Sequence, residues 1–449
     1  MKVKSISLSN YRGFTQLDLE FGSQITVLAG VNGSGKSAVL RGLAALLSHL
    51  LRHEGVSKEK PESLSAGDVH VGKAALTLSG QFQSGGRVLH AQLTRSLPDP
   101  SKAPEYAKRR DDARAAMRYE KKGSVDFRKL EDEIRFLSGL LEQHQDHFTH
   151  QVEATKIQVK GETGVHPIAA LYTTSRYLGR LSPRLSGVRT FEPANAFTDA
   201  LSGAEVSLTA FANWFRAAQE GALGTKANSK RLLGYLNAVV EKLLPGFSSP
   251  KLAETSPPRF VVKKGRLEFG LIQLSDGERG LLALAFDLTR RLSIANPGLK
   301  DPVAEGEAIV LLDEIELHLH PGWQRKVLGR LAETFKNCQF IATTHSPQVI
   351  GEAPAGSVWM LESDECQISA WKPDHTFGMD ANRLLEELMG ADAQNAGVKQ
   401  RLHEIGILVD KDDFKKASSA IEALEKVIGP DHPELIRLRS LIAFVTGKK

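Results

Sequence analysis

The chain has 449 residues, 41% hydrophobic and 25% charged, an ordinary soluble composition large enough for two or three cores and unlike a disordered or fibrous chain. A formal net charge of +5, with an isoelectric point near 9.0, fits a nucleic-acid partner and an ordinary solvated surface equally well. Two cysteines, Cys338 and Cys366, are too few for a disulfide framework or a zinc site and read as buried, reduced thiols.

In chain order, short β-type runs at 3–8, 17–21 and 25–29 lead into a glycine loop and a helix from Lys36. The apolar stretch 40–51 is interrupted by Arg41, Ser48 and His49, so it is neither signal peptide nor membrane span, and the expected compartment is the cytoplasm. Alternating segments at 75–82 and 88–96 read as antiparallel strands and complete a first lobe, 1–97. Residues 98–164 are polar and charge-dense, with Leu130, Ile134, Leu137, Leu141 and Phe148 at helical spacing. They read as a helical insertion whose longest helix reaches about 40 Å at ~1.5 Å per residue, too short for a long coiled-coil arm. A linking segment, 165–257, is helical over 208–244. Strand–turn–helix alternation then returns in a second lobe, 258–379, and a helical tail, 380–449, closes on a hairpin of helices at 414–427 and 434–444. The fold class is α/β, two-lobed, with a helical insertion and a helical C-terminal tail.

Gly30-Val-Asn32-Gly33-Ser34-Gly35-Lys36-Ser37 has the spacing of a P-loop, with an apolar strand before it and a helix after it. Its glycines let backbone N–H groups wrap phosphates, Lys36 supplies a fixed cation, and the Ser37 hydroxyl can ligate Mg²⁺. Further on, the apolar run from Ala308 ends in Asp313-Glu314, as a buried parallel strand with acids at its C-terminal edge would. Asp313 then suits the Mg²⁺ shell, and Glu314 suits orienting or deprotonating the attacking water.

Leu274-Ser275-Asp276-Gly277-Glu278-Arg279 opens a helix shortly before the acidic strand, and its plain alternative is a simple N-cap. It resembles the LSGGQ signature of ABC ATPases in the form found in the SMC/RecF/OLD-like group, with Asp276 replacing a glycine and Glu278 the glutamine. The resemblance implies that Ser275, Gly277 and Glu278 meet the γ-phosphate of ATP held by an opposite subunit. By the same resemblance, His345 in FIATTHSP is the switch histidine at the γ-phosphate, and Arg12 in NYRGF lies near the nucleotide, the alternative being a surface arginine in a turn. The pattern departs at His320, where many such heads carry the D-loop aspartate. His318 and His320 lack a convincing third metal ligand and read as a variant dimer loop; a Q-loop glutamine is not identified.

QLSDGERGLLALAFDLTRRL, LLDEIELHLHPGWQRKVL, NCQFIATTHSPQV, ALYTTSRYL, NWFRAAQE and the helical tail together resemble AAA_15/AAA_21-type ATPases, above all the PtuA-type subunits of Septu and retron-associated anti-phage systems. That resemblance implies ATP and Mg²⁺ as cofactors, a homo-oligomer, an HNH nuclease partner and contact with DNA inside the complex, with no membrane. Two other readings compete. One is an autonomous OLD-type nuclease, for which Glu362, Asp410 and Asp412 offer the superficial elements of a TOPRIM domain; the other is a RecF-like DNA-repair ATPase, which lacks a readable base-contacting element.

Overall fold

The computed structural model describes residues 1–97, 103–119, 126–127, 129–131, 133–134, 146–153, 165–185, 191–253, 255–364, 367–392 and 395–447. Two compact units result, Met1–Met379 and Asp380–Lys449. Cys366, Leu137 and Leu141 lie outside the described residues; Cys338 is a buried free thiol whose pKa burial pushes up to about 12.

The strands of the first unit are β1 (Lys2–Tyr11), β2 (Phe14–Glu20), β3 (Ile25–Ala29), β4 (Ala75–Ser84), β5 (Arg87–Ser96), β6 (Asp146–Glu153), β7 (Ile168–Tyr172), β8 (Phe247–Ala253), β9 (Arg259–Lys264), β10 (Leu267–Gly270), β11 (Ala308–Leu312), β12 (Gln339–Thr344), β13 (Val358–Asp364) and β14 (Gln367–Trp371). Its central sheet runs β14-β13-β3-β12-β11-β7, parallel from β13 to β7, with β14 folded back antiparallel at the edge. β3, β7, β11 and β12 are buried at every position, as parallel strands covered on both faces must be. β3 belongs to the first lobe by sequence yet pairs with β12 and β13 of the second, so one sheet unites the two lobes.

A second, antiparallel sheet is ordered β2-β1-β4-β5-β6. The helix Lys36–His53 touches strands of both sheets, which accounts for a near-continuous apolar run in a helix that is not a membrane span. Gln339 stitches the sheets together: its side chain accepts from Val3 N at 2.8 Å and donates to Val3 O at 2.8 Å and Gly22 O at 2.7 Å. Among the described residues no helix is long and apolar enough to cross a membrane.

Two expectations need correction. Phe148 is not on a helix: it lies on β6, paired with Leu93 of β5. Its seven-residue distance from Leu141 satisfies a helical period, but the even spacing of Phe148 and Val152 also fits a strand, and an antiparallel partner satisfies the backbone groups that β5 would leave open. Within 98–164 the helix Ala103–Met117 does form, and Leu130 and Ile134 are helical. The segment 165–257 was expected to link and to be helical; besides Leu208–Gln219 and Lys226–Leu243 it supplies β7 to the central sheet and β8 to a small sheet, β10-β9-β8. A five-residue strand buried on both faces shows no periodicity by which to recognise it.

Among its described residues the second unit is built from helices: Ala381–Glu387, Ala396–Asp410, Phe414–Ile428 and Pro433–Thr446. Ile405, Val409, Ala417, Ile421, Leu424, Leu435 and Leu438 form its core. Asp410 ends a helix, Asp412 sits in the turn with φ 58°, and Asp413 caps the following helix by accepting from Lys416 N.

Candidate nucleotide site

Parallel strands aligned by their ladders deliver their C-terminal ends to one edge of the sheet, and β3, β11 and β12 each bring a functional segment there. β3 runs into the glycine loop. Gly35, the N-cap of the helix that begins at Lys36, has φ 85°, and a Cβ there would meet Phe14 Cζ at 2.5 Å; only glycine fits. It offers no side-chain cap, so the first-turn N–H groups keep their capacity for an anion. Asn32 and Gly33 are exposed, whereas Ser34 and Lys36 are buried. The Lys36 ammonium donates to Gly30 O at 3.0 Å and Val31 O at 2.8 Å, with Ser34 Oγ at 3.4 Å. Burial lowers its pKa to about 8 against the opposing pull of Glu314, Asp313 and Glu316. A desolvated ammonium held only by neutral carbonyl and hydroxyl dipoles is matched to a polyphosphate.

Ser37 Oγ donates to Asp313 Oδ1 at 2.8 Å, so the helix and β11 bring these two candidate metal ligands into direct contact. Thr343 Oγ1 also donates to Asp313 Oδ1, at 2.6 Å, and accepts from Glu314 N at 2.7 Å. Glu314 itself takes φ 45°, turning the chain out of β11. His345 Nε2 lies 3.9 Å from Glu314 Oε1. Burial, then the Lys36 charge, lowers the imidazole pKa, so His345 is neutral at neutral pH and this contact is not an ion pair. Glu316 ties the turn to the end of β12, accepting from Thr344 Oγ1 at 2.8 Å and from His345 N.

The residues fit a nucleoside triphosphate with a divalent cation: an open helix N-terminus and Lys36 for phosphate, Ser37 and Asp313 for an oxygen-preferring metal, Glu314 and His345 beside them. The signature residues are engaged otherwise. Ser275 and Glu278 form a reciprocal capping box, and Glu278 also accepts from Lys264 at 2.6 Å, so the plain N-cap role is realised. Gly277 is required by close approach, since a Cβ would stand 2.4 Å from His318 O. Among the described residues none of their hydrogen bonds reaches the phosphate loop. Arg12 is held by Asp68, with Nε to Oδ1 at 2.8 Å, and its φ of 50° belongs to the turn between β1 and β2. Phe14 of the same motif packs against Gly35 of the glycine loop. His320 accepts from Gly322 N as the cap of helix Pro321–Thr334.

Thr343 and Glu316 are residues that sequence reasoning did not single out, although both lie inside segments quoted for other reasons. A third is Arg176, in the turn after β7, whose guanidinium donates to the carbonyls of Asp313 and Glu314.

A family profile described as "AAA domain, putative AbiEii toxin, Type IV TA system", AAA_21, matches residues 25–351. The chain is 37% identical over 216 residues to the retron Ec83 probable ATPase of Escherichia coli, covering 47% of this chain and 39% of that protein. It is 27% identical over 177 residues to the Septu protein PtuA of Bacillus thuringiensis, covering 37% of this chain and 44% of that one. The matched part is thus under half the length of either relative. Among solved structures, the SMC head domain from Thermotoga maritima aligns with a TM-score of 0.40 at 14% identity, over 84% of this chain and 100% of that domain.

Proposed function

The chain belongs to the AAA_21 family, and from that premise we propose that it is the ATP-binding and ATP-hydrolysing subunit of an anti-phage defence complex, which closes on ATP as a head-to-head dimer and governs a separate HNH nuclease acting on DNA. The observation that carries the ATPase part is the convergence of Lys36, Ser37, Asp313, Glu314 and His345 on one sheet edge. Lys36 and the first-turn N–H groups bind and orient the phosphates. Ser37 and Asp313 would hold Mg²⁺, which when bound neutralises charge developing on the phosphoryl oxygens. Glu314 orients the attacking water and takes up its proton, and neutral His345 is placed to donate a hydrogen bond towards the terminal phosphate. Ser275 and Gly277, on an element whose hydrogen bonds lie elsewhere, serve the phosphate of a second copy.

The defence role rests on the retron and Septu relatives, and the partner role on the tail. The second unit buries one apolar face yet leaves Val427, Ile436, Leu441, Phe444 and Val445 exposed, with Phe444 86% accessible. Against nuclease activity in this chain stands the placement of Asp410 and Asp412 at a helix end and a turn, where a TOPRIM centre needs strand-borne acids. A chain ending at Met379 is expected to stay folded and bind ATP while no longer co-purifying with the HNH nuclease. If it instead precipitates or loses nucleotide, the tail is a structural cap. Mg²⁺-dependent DNA cleavage by the full-length chain alone, abolished by Asp410→Asn, would replace the regulator reading with the nuclease one.

A further inference from the structure

Arg176 follows β7 and is 8% exposed, yet among the described residues its guanidinium forms no ion pair with a carboxylate. It is directed at backbone instead: Nη1 donates to Asp313 O at 2.5 Å, and Nη2 to Glu314 O at 2.8 Å and Ile315 O at 3.2 Å. The ladders of β11 end at Leu312, so the carbonyls beyond it have no strand to pair with; Glu314 O also accepts from Leu317 N at 2.9 Å, and Arg176 supplies side-chain donors to all three. From the opposite side Thr343 takes the Glu314 N–H through its hydroxyl and the Ile315 N–H through its carbonyl, at 2.7 and 3.0 Å. Glu314 is therefore gripped at both ends of its own backbone. Among the described residues its carboxylate accepts no hydrogen bond from protein, so its placement depends strongly on the backbone from which it springs, with His345 Nε2 3.9 Å away.

The other neighbour of Arg176 is the helix Asp276–Ala295. A Cβ built on Gly280, one turn into that helix, would lie 3.9 Å from Arg176 Nε. The loop that leaves Glu314 reaches the same helix start, where Gly277 faces His318 O.

The structure assigns Arg176 a positioning role: it fixes the left-handed turn that aims Glu314, and it braces that turn against the first turns of the helix carrying Ser275 and Gly277. Occupation of that helix start by a second copy's nucleotide would then be felt at Glu314 of the same chain. The role rests on the ATPase reading given above. Lysine cannot replace it, because a point ammonium does not span three successive carbonyls as a planar fork does.

Steady-state ATPase assays and hydrogen exchange on full-length Arg176→Lys and Arg176→Gln test it. The expected result is a fall in kcat of about 10–100-fold with KM for ATP within about twofold of the unsubstituted chain, the signature of a misplaced group rather than lost binding. Exchange of the Glu314 and Ile315 amides should quicken by at least about tenfold while β3 and β12 stay protected. Unchanged kcat together with unchanged exchange in either variant would overturn the role, as would a rise in KM that matches the fall in kcat. The exchange measurement needs no turnover: an unsubstituted chain that fails to hydrolyse ATP defeats the ATPase reading, while the exchange result still decides the grip on the turn.

Discussion

Glu314→Gln is expected to lower kcat for ATP hydrolysis by about 10²–10⁴-fold while leaving ATP binding nearly intact. Glutamine keeps the shape of the side chain and disturbs neither the Thr343 bond to the Glu314 N–H nor the Arg176 bond to its carbonyl. What it removes is the charge and basicity needed to orient water and accept its proton. The phosphate-binding side is untouched, because Lys36 donates its hydrogen bonds to Gly30 O, Val31 O and Ser34 Oγ. Phosphate release read beside equilibrium binding of a fluorescent ATP analogue separates the two effects, and turnover by Glu314→Gln at the unsubstituted rate would remove Glu314 from the chemistry.

The largest expected loss of stability lies away from the nucleotide. Asp287, buried in the helix Asp276–Ala295, accepts from Arg290 at 2.8 Å, from Arg291 at 2.6 Å and from the Tyr172 hydroxyl at 3.0 Å. Arg291 continues to the carbonyls of Ala196 and Thr198 at 2.6 and 3.0 Å. Asp287→Ala strands two buried guanidinium groups, which should cost about 3–5 kcal/mol. A substitution that replaces all three charges with apolar side chains of similar volume should cost less, because it leaves no buried charge unpaired, although the Tyr172 hydroxyl and the Ala196 and Thr198 carbonyls then lose these partners. Burial alone would raise the Asp287 pKa, but Arg291 and Arg290 overcome it and hold the carboxyl well below its ordinary range. A depressed carboxylate pKa contributes stability above the unfolded value of about 3.9, and that contribution is lost as pH falls below it. The gap in denaturant midpoint of the first unit between the Asp287→Ala chain and the unsubstituted one should therefore stay constant from pH 7 to about pH 5 and begin to narrow below about pH 4, without closing by about pH 3, because the folded-state value lies lower still. A difference under about 1 kcal/mol at pH 7 would show the network to be unimportant.

The phosphate loop and the acid pair were legible because each is a local string whose context, an apolar strand and a helix or turn, is also local. Ile25–Ala29 and the acidic strand were read to within a residue for that reason. The supports were not. Thr343, Glu316 and Arg176 act through backbone groups far away in sequence, and a threonine or arginine in a strand or turn carries no mark of the carbonyl it will meet. Gln339 is similar: a polar residue opening an apolar strand looks like a boundary, yet it joins two sheets through Val3 and Gly22. β6 and β7 failed for two separate reasons, a helical coincidence at Phe148 and a strand too short and too buried to alternate. The signature shows the limit from the other side. Its residues resemble a signature, but within one chain Ser275 and Glu278 cap their own helix, and the proposed contact with a nucleotide calls for a second copy.

The central claim is that two chains share each ATP site, and mixing two inactive variants tests it most directly. Lys36→Ala removes the phosphate-binding cation, and Ser275→Arg blocks the helix start that a second copy would need. In a mixed dimer one composite site carries both defects and the other carries neither. With random pairing, half the dimers are mixed and each has one sound site of two, so about a quarter of the unsubstituted ATPase activity should return on mixing, from two parents that each have almost none. A mixture that stays inactive while mixed dimers are demonstrated by differential tagging, or a Ser275→Arg chain that is fully active by itself, would contradict the shared site.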